Sequence, residues 1–475
     1  MAITVQTPAT KAAKGMMLTW MSMKARRVAK AAAAACALLG AAGLTAFGAG
    51  TPVAHAAVLA GRQGPPTSAQ CMKDLGVACY SPLQVERAYN LPPLYAKGLT
   101  GKGRTIVIVD PFGSPTIRHD LRVFDRAFGL SAPPAFRVLQ PVGKVPPFNP
   151  KNPGMVAKAA ETTLDVEWSH AIAPGANILL VETPVQESVT GGGFPQFMAA
   201  ENYVITHHLG DVISQSFGLP EQNFAGQFSI SRLRYAYRSA RRHHVTVLAA
   251  SNDLGVTGPT PADIFYRHRI VDWPASDPLV TGVGGTRLHL NKAGVRTSPD
   301  TAWNDTHNAA ALRLLGETPP FPFASTGGVS EVFTRPGYQD PVRGRTGNHR
   351  GVPDVALSAS LSGAVLIFAS FNGTPVWFPG GGTSEAAPEF AGIVAIADQY
   401  AHQRLGLINP ALYRLEQAHA PGIVDVTKGS NTVSVAYHGQ IITLQGYRAR
   451  PGYDLVTGIG TINAALFVPE LARAG

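Results

Sequence analysis

The segment from Gly380 to Pro388 carries the strongest indication of chemistry in this sequence. It reads Gly-Gly-Gly-Thr-Ser-Glu-Ala-Ala-Pro and predicts a glycine turn that leads Ser384 into the start of a helix. Free N–H groups at a helix start can stabilise a negatively charged oxygen, so the pattern suits acyl transfer on a serine nucleophile. The alternative is that Ser384 serves only as a helix N-cap, and the motif alone does not decide between the two.

A serine hydroxyl becomes an effective nucleophile only when a base takes its proton, and histidine is the usual base. The sequence contains 14 histidines, but none occurs in a His-Gly-Thr-His type element. His170 is the best placed by chain order, yet it is followed by Ala-Ile-Ala-Pro and is interpreted as an ordinary helix residue. The base must therefore be sought among other side chains.

Glu161 and Asp165 are four residues apart and lie on one face of a predicted helix. Apolar residues recur around them at helical spacing, which places both acids beside the apolar stripe and points Glu167 elsewhere. Two like charges at such a boundary are relieved by sharing a proton, which raises one apparent pKa and gives a base that works in acid. A solvated acidic helix face is the alternative.

A third candidate acid follows a strand-like run from Val245 to Ala250. This run ends in a turn that contains Asn252 and Asp253. A carboxylic acid that stays protonated can donate a hydrogen bond to a developing oxyanion. The alternative for Asp253 is an ordinary Asx turn.

In chain order, these four residues resemble the catalytic set of the sedolisin family, the serine-carboxyl peptidases with a subtilisin-like fold. The resemblance extends over residues 80–472 and includes motifs at 273–278, 283–286, 303–305, 327–330 and 352–355. The resemblance implies that Ser384 is the nucleophile, Glu161 the general base and acid, Asp165 its orienting partner and Asp253 the oxyanion donor.

Three more positions bear on the resemblance. Asp110 follows the predicted strand 105–109 and resembles an acid that extends the hydrogen-bond relay in some relatives; a turn residue is the alternative. Phe217 stands where many relatives have tryptophan, and Asn252 stands where a glycine commonly precedes the oxyanion acid. Asparagine tolerates unusual backbone angles better than most residues do.

Two segments near the C-terminus, 425–429 and 450–454, resemble the two halves of the family's calcium site. The resemblance implies one structural Ca²⁺ held by the carboxylates of Asp425 and Asp454, the carbonyls of Val426, Arg450 and Gly452, and water, ~6 oxygens in all. Arg450 stands where relatives usually have glycine, and its charge would weaken binding. Two polar turns without a metal are the alternative.

Residues 1–56 are predicted to be a signal peptide. They contain basic residues at 24, 26, 27 and 30, an apolar run over 31–50 and the cleavage pattern Ala54-His55-Ala56. Their removal takes away six basic residues and no acid, so the formal net charge falls from +10 to +4. The mature protein is therefore expected outside the cell without a membrane anchor, by either Sec or twin-arginine export.

Cys71 and Cys79 are the only cysteines after residue 56, and an isolated pair in an exported chain predicts a local disulfide. We expect an N-terminal segment over 57–95 that contains this bridge, followed by a peptidase domain over 96–475 with the calcium site near its end. Relatives typically carry a long folded propeptide that this sequence lacks. Secretion in an active form and a separate inhibitor or chaperone are both compatible with that difference.

Strand-like runs alternate with helical patterns through most of the chain. The pattern predicts an α/β fold with a subtilisin-like parallel sheet, helices on both faces and a single large domain. A hairpin is expected at 371–374 and a long helix at 385–402. The predicted strands are 105–110, 177–183, 211–217, 245–250 and 279–283, and the predicted helices are 114–129, 161–173, 194–208 and 225–242.

The resulting hypothesis is a secreted, monomeric peptidase that cleaves protein or peptide substrates in acid. Acid is required because Glu161 and Asp165 must share a proton and Asp253 must keep one. No basic cluster with interleaved aromatic residues predicts nucleic-acid binding. The alternatives are a secreted binding protein on a disabled peptidase fold and a histidine-based subtilisin-like peptidase. Endopeptidase and tripeptidyl-peptidase action are both compatible with these residues.

Overall fold

The structure is a computed structural model that describes residues 64–262, 264–437 and 440–474. The predicted signal peptide, residues 1–56, lies outside the described residues. Within the described part of the chain, no helix combines the length and the apolar character that crossing a membrane requires.

The elements are numbered here in chain order. The strands are β1 (Ala78–Tyr80), β2 (Thr105–Pro111), β3 (Phe136–Leu139), β4 (Asn177–Thr183), β5 (Val212–Gln215), β6 (Leu219–Pro220), β7 (Thr246–Ala250), β8 (Asp272–Trp273), β9 (Thr281–Arg287), β10 (Thr301–Ala302), β11 (Gly328–Thr334), β12 (His349–Val352), β13 (Val355–Ser358), β14 (Gly363–Ala369), β15 (Val376–Gly380), β16 (Ile423–Val424), β17 (Val433–Tyr437), β18 (Gln440–Leu444) and β19 (Thr461–Ile462). The helices are α1 (Ser68–Leu75), α2 (Pro82–Ala88), α3 (Pro92–Tyr95), α4 (Ile117–Phe128), α5 (Pro153–Ile172), α6 (Phe194–Thr206), α7 (Ile230–Leu233), α8 (Tyr235–Arg242), α9 (Ala309–Leu314), α10 (Arg343–Thr346), α11 (Thr383–Ala401), α12 (Asn409–Gln417) and α13 (Ala464–Ala474).

An eight-stranded sheet forms the centre of the fold, in the order β10-β9-β7-β5-β2-β4-β3 with β13 beside β9. Its neighbouring strands are parallel except for β10, which pairs antiparallel with β9. Side chains alternate between the faces of a strand, so Ile106 and Ile108 enter one apolar core while Val107 and Val109 enter the other. A parallel sheet with both faces buried is the expected α/β arrangement, and the predicted fold class is confirmed.

Helices cover both faces of this sheet. α5 and α11 pack together and contact β2, and α11 also contacts β5, β7, β9 and β13. On the opposite face, α6 packs on β2 and β4, and α8 packs on β7. The two layers contain separate apolar clusters, one with Trp168 and Phe390 and the other with Phe197 and Tyr237.

The predicted helix over 161–173 is confirmed as part of α5, but the expected apolar stripe on one side of it is wrong. The helix begins after Asn152, whose side chain accepts the N–H groups of Gly154 and Met155, and its last two turns are buried on all sides. Glu167, which was expected to point away from the two candidate acids into a different environment, is fully buried and accepts the Phe368 N–H at 3.1 Å. The reason is position, since α5 also contacts α2, α4 and β14 and has no solvent-facing side there.

The remaining predicted elements differ from the structure mainly at their ends. The hairpin exists as β14 and β15, which pair antiparallel, and α11 starts two residues before the predicted helix. The predicted helix 225–242 is instead a short 3₁₀ turn followed by the two helices α7 and α8. Cys71 and Cys79 form a disulfide beside β1, which pairs in parallel with β14.

Candidate active site

The glycine turn before Ser384 packs tightly against the segment 359–361. Gly382 has a φ of 94° and donates its N–H to the Ala359 carbonyl at 2.6 Å. A Cβ at Gly381 would lie 2.7 Å from that same carbonyl oxygen, so a side chain cannot be accommodated there. Gly382 is the N-cap of α11 and Ser384 is the second helical residue, so Ser384 is not the N-cap.

Glu161 and Asp165 face the N-terminal end of α11. The Ser384 hydroxyl lies near the Glu161 carboxyl group and lowers its pKa. Asp165 Oδ1 accepts the hydroxyl of Ser216 at 3.0 Å, and its Oδ2 has no partner among the described residues. Ser216 directly follows β5, so the end of a central strand holds the second acid in place.

Burial controls the ionisation of this acid pair. The pKa of Glu161 is raised to about 8, chiefly by desolvation; the charges of Asp110 and Asp253 also raise it, whereas Ser384 and Lys158 lower it. Desolvation raises the pKa of Asp165 well above its ordinary value, and charges on Asp110 and Glu161 act in the same direction. Because the two buried acids repel each other's charge, their protons leave in two steps, and between those steps the pair holds one shared proton.

Two further buried groups belong to the surroundings of this pair. Asp110, near the end of β2, has its pKa raised to about 7, chiefly by desolvation. Lys158 lies one turn before Glu161, forms a buried ion pair with Glu187 and lowers the pKa of Glu161, Asp165 and Asp110. Sequence reasoning missed Lys158 and Glu187, although a lysine three residues before Glu161 was a signal that could have found one of them.

Asp253 lies in the turn that follows β7 and is bonded directly to the start of α11. Its Oδ1 accepts both the N–H and the hydroxyl of Thr383 at 2.7 Å, so Oδ2 is left for another partner. Burial raises the pKa of Asp253 to about 6, while the two Thr383 hydrogen bonds lower it. The strands that precede Asp110, Ser216 and Asp253 are neighbours in the sheet, and their carboxyl ends meet at one edge, where ligands bind in such folds.

Asn252 adopts a left-handed conformation with a φ of 80°. Its Nδ2 donates to Asp272 Oδ2 at 2.5 Å. Asp272 is buried, and desolvation raises its pKa to about 8. Sequence-based reasoning also missed Asp272, which directly precedes the motif at 273–278.

The two segments predicted to bind calcium approach each other. The Gly452 N–H donates to Asp425 Oδ2 at 2.9 Å, and Asp454 Oδ2 accepts the Arg450 N–H at 2.8 Å. No backbone N–H of the described residues donates to the carbonyls of Val426, Arg450 or Gly452. The described residues contain no group of three or more His, Cys, Asp or Glu side chains arranged around a metal position, so such a site would depend on carbonyl oxygens.

Comparison with known proteins gives several related peptidases. The chain is 32% identical over 391 residues to kumamolisin from Bacillus sp. (strain MN-32), which covers 80% of the chain and 62% of kumamolisin. It is 28% identical over 365 residues to tripeptidyl-peptidase 1 from Rattus norvegicus, covering 72% of the chain and 56% of that protein. It is 27% identical over 371 residues to sedolisin from Pseudomonas sp. (strain 101), covering 77% of the chain and 57% of that protein.

The chain thus spans somewhat more than half the length of these curated relatives. Among solved structures, Pseudomonas sedolisin complexed with two molecules of pseudo-iodotyrostatin matches with a TM-score of 0.68 at 24% identity. The match covers 84% of this chain and 99% of that one, and it shows a shared fold. No protein-family model matches the chain.

The raised pKa values predict that the protein loses stability as pH rises from 4 to 8. The folded pKa values of Asp253, Asp110 and Glu161 are about 6, 7 and 8, against ordinary values of 3.8, 3.8 and 4.5. Between the ordinary and the raised pKa values, the folded state holds protons that the unfolded chain has released. These protons therefore contribute fully to stability below the ordinary pKa values, and the contribution is lost as pH rises through the raised pKa values. Calorimetric Tm values should therefore fall over this range.

The matched variant for this prediction is Glu161→Gln, which removes one proton-binding group while keeping its shape. Its Tm should depend less steeply on pH than that of the unmodified protein. A Tm that is constant or rises between pH 4 and pH 8 would contradict the assignment of protonated carboxyl groups.

Proposed function

The chain belongs to the sedolisin family of serine-carboxyl peptidases, and we propose from this premise that it hydrolyses peptide bonds through an acyl-enzyme on Ser384. The substrates would be proteins or peptides, and the mature protein would act outside the cell in acid. The observation that supports this proposal most directly is the position of the Ser384 hydroxyl beside the buried Glu161 carboxyl group, next to an Asp253 bonded to Thr383.

In the acylation step, the Ser384 hydroxyl oxygen attacks the carbonyl carbon of the scissile bond. Glu161 accepts the hydroxyl proton as the new C–O bond forms. Asp165 shares a proton with Glu161 and fixes the orientation of its carboxyl group, with Ser216 holding Asp165 in turn. Because both acids are buried, this proton exchange takes place in a medium of low dielectric. A small displacement of the shared proton there changes the base strength of Glu161.

The tetrahedral intermediate carries its negative charge on the former carbonyl oxygen. Asp253, protonated in acid, donates a hydrogen bond to that oxygen through the carboxyl oxygen that Thr383 does not use. The Ser384 N–H is a second donor, because the second residue of a helix has no intrahelical acceptor. Collapse of the intermediate breaks the C–N bond, and Glu161 returns the proton to the leaving amine.

Deacylation repeats these steps with water as the nucleophile. Glu161 takes a proton from the water, which attacks the acyl carbon, and then gives this proton to the Ser384 oxygen as it leaves. The products are a carboxylic acid, an amine and the regenerated hydroxyl. Asp110 and Lys158 adjust the proton affinity of the pair with opposite signs, which keeps Glu161 able both to accept and to return a proton.

Substitution of Ser384 tests its role as the nucleophile. Ser384→Ala should reduce cleavage of an unfolded protein substrate at least ~10³-fold, because the acyl-enzyme cannot form. The assay uses the chain from Ala57 between pH 3 and pH 8, and product masses distinguish endopeptidase from tripeptidyl-peptidase action. Absence of cleavage by a folded, calcium-supplied protein would contradict the proposal and favour the secreted binding protein.

The oxyanion role of Asp253 predicts a particular pH dependence. Activity should fall as pH rises through about 6, because the ionised carboxylate can no longer donate a hydrogen bond. Asp253→Asn supplies a neutral N–H donor at every pH and keeps an oxygen that can accept the hydrogen bonds of Thr383, so it should retain activity. The upper pH limit of its activity should rise from about 6 toward the pKa of Glu161, which is about 8. Asp253→Ala should lose ~10²–10³-fold in kcat at all pH values. Equal inactivity of the two variants would argue against a donor role.

We also propose that one calcium ion joins the segments 425–426 and 450–454. Three carbonyls that accept no backbone N–H, together with two carboxylates that each also accept backbone N–H groups, provide the oxygen ligands that a hard cation prefers. When bound, the ion would neutralise Asp425 and Asp454 and hold the two segments together. Its role would be structural, because these residues are distinct from those that act on the substrate.

Calcium removal should therefore lower the Tm without changing the catalytic groups. At calcium concentrations 100-fold above the Kd, binding would stabilise the fold by about 2.7 kcal/mol. Asp425→Asn should abolish the difference between Tm values measured with calcium and with a chelator. Arg450→Gly is the informative counterpart, because loss of a nearby positive charge should tighten calcium binding in a calorimetric titration. An unchanged Tm in chelator would remove calcium from the proposal.

A further inference from the structure

Two glutamates in α11 are not used by the mechanism described above. Glu385 directly follows Ser384, and Glu389 lies one helical turn later on the same face. Both side chains have an exposed fraction of zero, and none of their four carboxyl oxygens has a hydrogen-bond partner among the described residues. Unpaired buried acids are rare enough that this pair calls for a physical explanation.

The pair lies between α11 and the end of β13. The Ser358 N–H donates to the Tyr89 hydroxyl oxygen at 2.6 Å, and the Ser358 hydroxyl interacts with Glu385. Tyr89 is fully buried and is affected by the charge of Glu389. Tyr89 and Ser358 are therefore neighbours of the two acids, and among the described residues neither acid forms an ion pair with a cation.

The nearest charges are too few or too distant to compensate an ionised pair. Arg296 lies over the Tyr89 ring at 5.5 Å, but it already forms an ion pair with Asp300 at 2.8 Å. Tyr80, on β1, interacts with Glu385 and with Arg287. An isolated carboxylate in such a place takes up a proton rather than remaining charged.

Electrostatics within the active site act in the same direction. Desolvation raises the pKa of Glu385 well above its ordinary value, and Asp253 raises it further. Desolvation likewise raises the pKa of Glu389, with a further increase from Glu385. α5, which packs along α11, contributes the acids Glu161 and Asp165, and these also oppose additional negative charge.

We propose that Glu385 and Glu389 are positioning residues: a proton-bearing carboxyl pair that holds the first two turns of α11, and so Ser384, in place only while both groups are uncharged. The assignment of Ser384 as the residue being positioned rests on the proposed function. Ionisation of the pair would put an uncompensated charge beside the nucleophile. Because Thr383 is bonded to Asp253, movement of this turn would displace the nucleophile and the oxyanion acid together.

The test compares the unmodified protein with the double variant Glu385→Gln, Glu389→Gln. Glutamine has the shape of protonated glutamate but cannot ionise. Each protein is incubated at pH 8, returned to acid and then assayed. Titration of Asp253 is reversed by the return to acid, so any activity that is still missing reports a lasting displacement of α11. We expect the double variant to lose activity at pH 8 at least about tenfold more slowly than the unmodified protein. A factor of about ten corresponds to one pKa unit of ionisation that the glutamines avoid.

Hydrogen–deuterium exchange gives a readout that does not need activity. In the unmodified protein, peptides covering 380–392 should exchange faster at pH 8 than at pH 4.5, after correction for the intrinsic effect of pH. This acceleration should be absent in the double variant. Since exchange reports on α11 directly, it tests the positioning role even if Ser384→Ala shows that the proposed peptidase activity is wrong.

Glu201→Gln is the matched control. Glu201 is also fully buried with both carboxyl oxygens unpaired, but it lies on α6, on the opposite face of the sheet. It should alter neither the loss of activity at pH 8 nor the exchange of 380–392. Equal protection by Glu201→Gln would show a general effect of buried acids, and unchanged exchange of 380–392 with pH in the unmodified protein would also overturn the proposal.

Discussion

The free-energy cost of moving a carboxylate out of water is the constraint on which this structure depends. Glu161, Asp165 and Asp253 are almost completely buried, and their hydrogen bonds are too few to compensate for full ionisation. A carboxyl group in that position keeps its proton, which is what a shared proton pair and a hydrogen-bond donor require. The raised pKa values of these acids and the acid requirement of the proposed mechanism therefore both follow from burial.

The second requirement is geometric, and Thr383 meets it. Its N–H and hydroxyl both reach Asp253, and its hydroxyl also accepts the Asn252 N–H at 3.0 Å. One residue thereby joins the turn after β7 to the first turn of α11. Because α5 packs along the same helix, the relative positions of Ser384, of the acid pair and of Asp253 all depend on where α11 begins.

The sequence was sufficient to predict the parallel sheet, because strands buried on both faces read as continuous apolar runs such as 105–109. It was misleading for α5, since amphipathic periodicity assumes a solvent-facing side that this helix does not have. Lys158, Glu187 and Asp272 escaped notice for a related reason. Their importance comes from contacts between segments far apart in the chain, and no local pattern records how deeply a charged residue will be buried.

The positions that depart from the family pattern are compensated by their neighbours. Asn252 has the left-handed backbone that a glycine would adopt easily, and its side chain uses the space beside Gly218 to reach Asp272. Phe217 is buried against Phe194 and Phe197, so it forms part of an aromatic layer. A disabled site would be expected to lose such compensating contacts, because nothing would then maintain the oxyanion turn. Their presence therefore favours a working site over a fold retained only for binding.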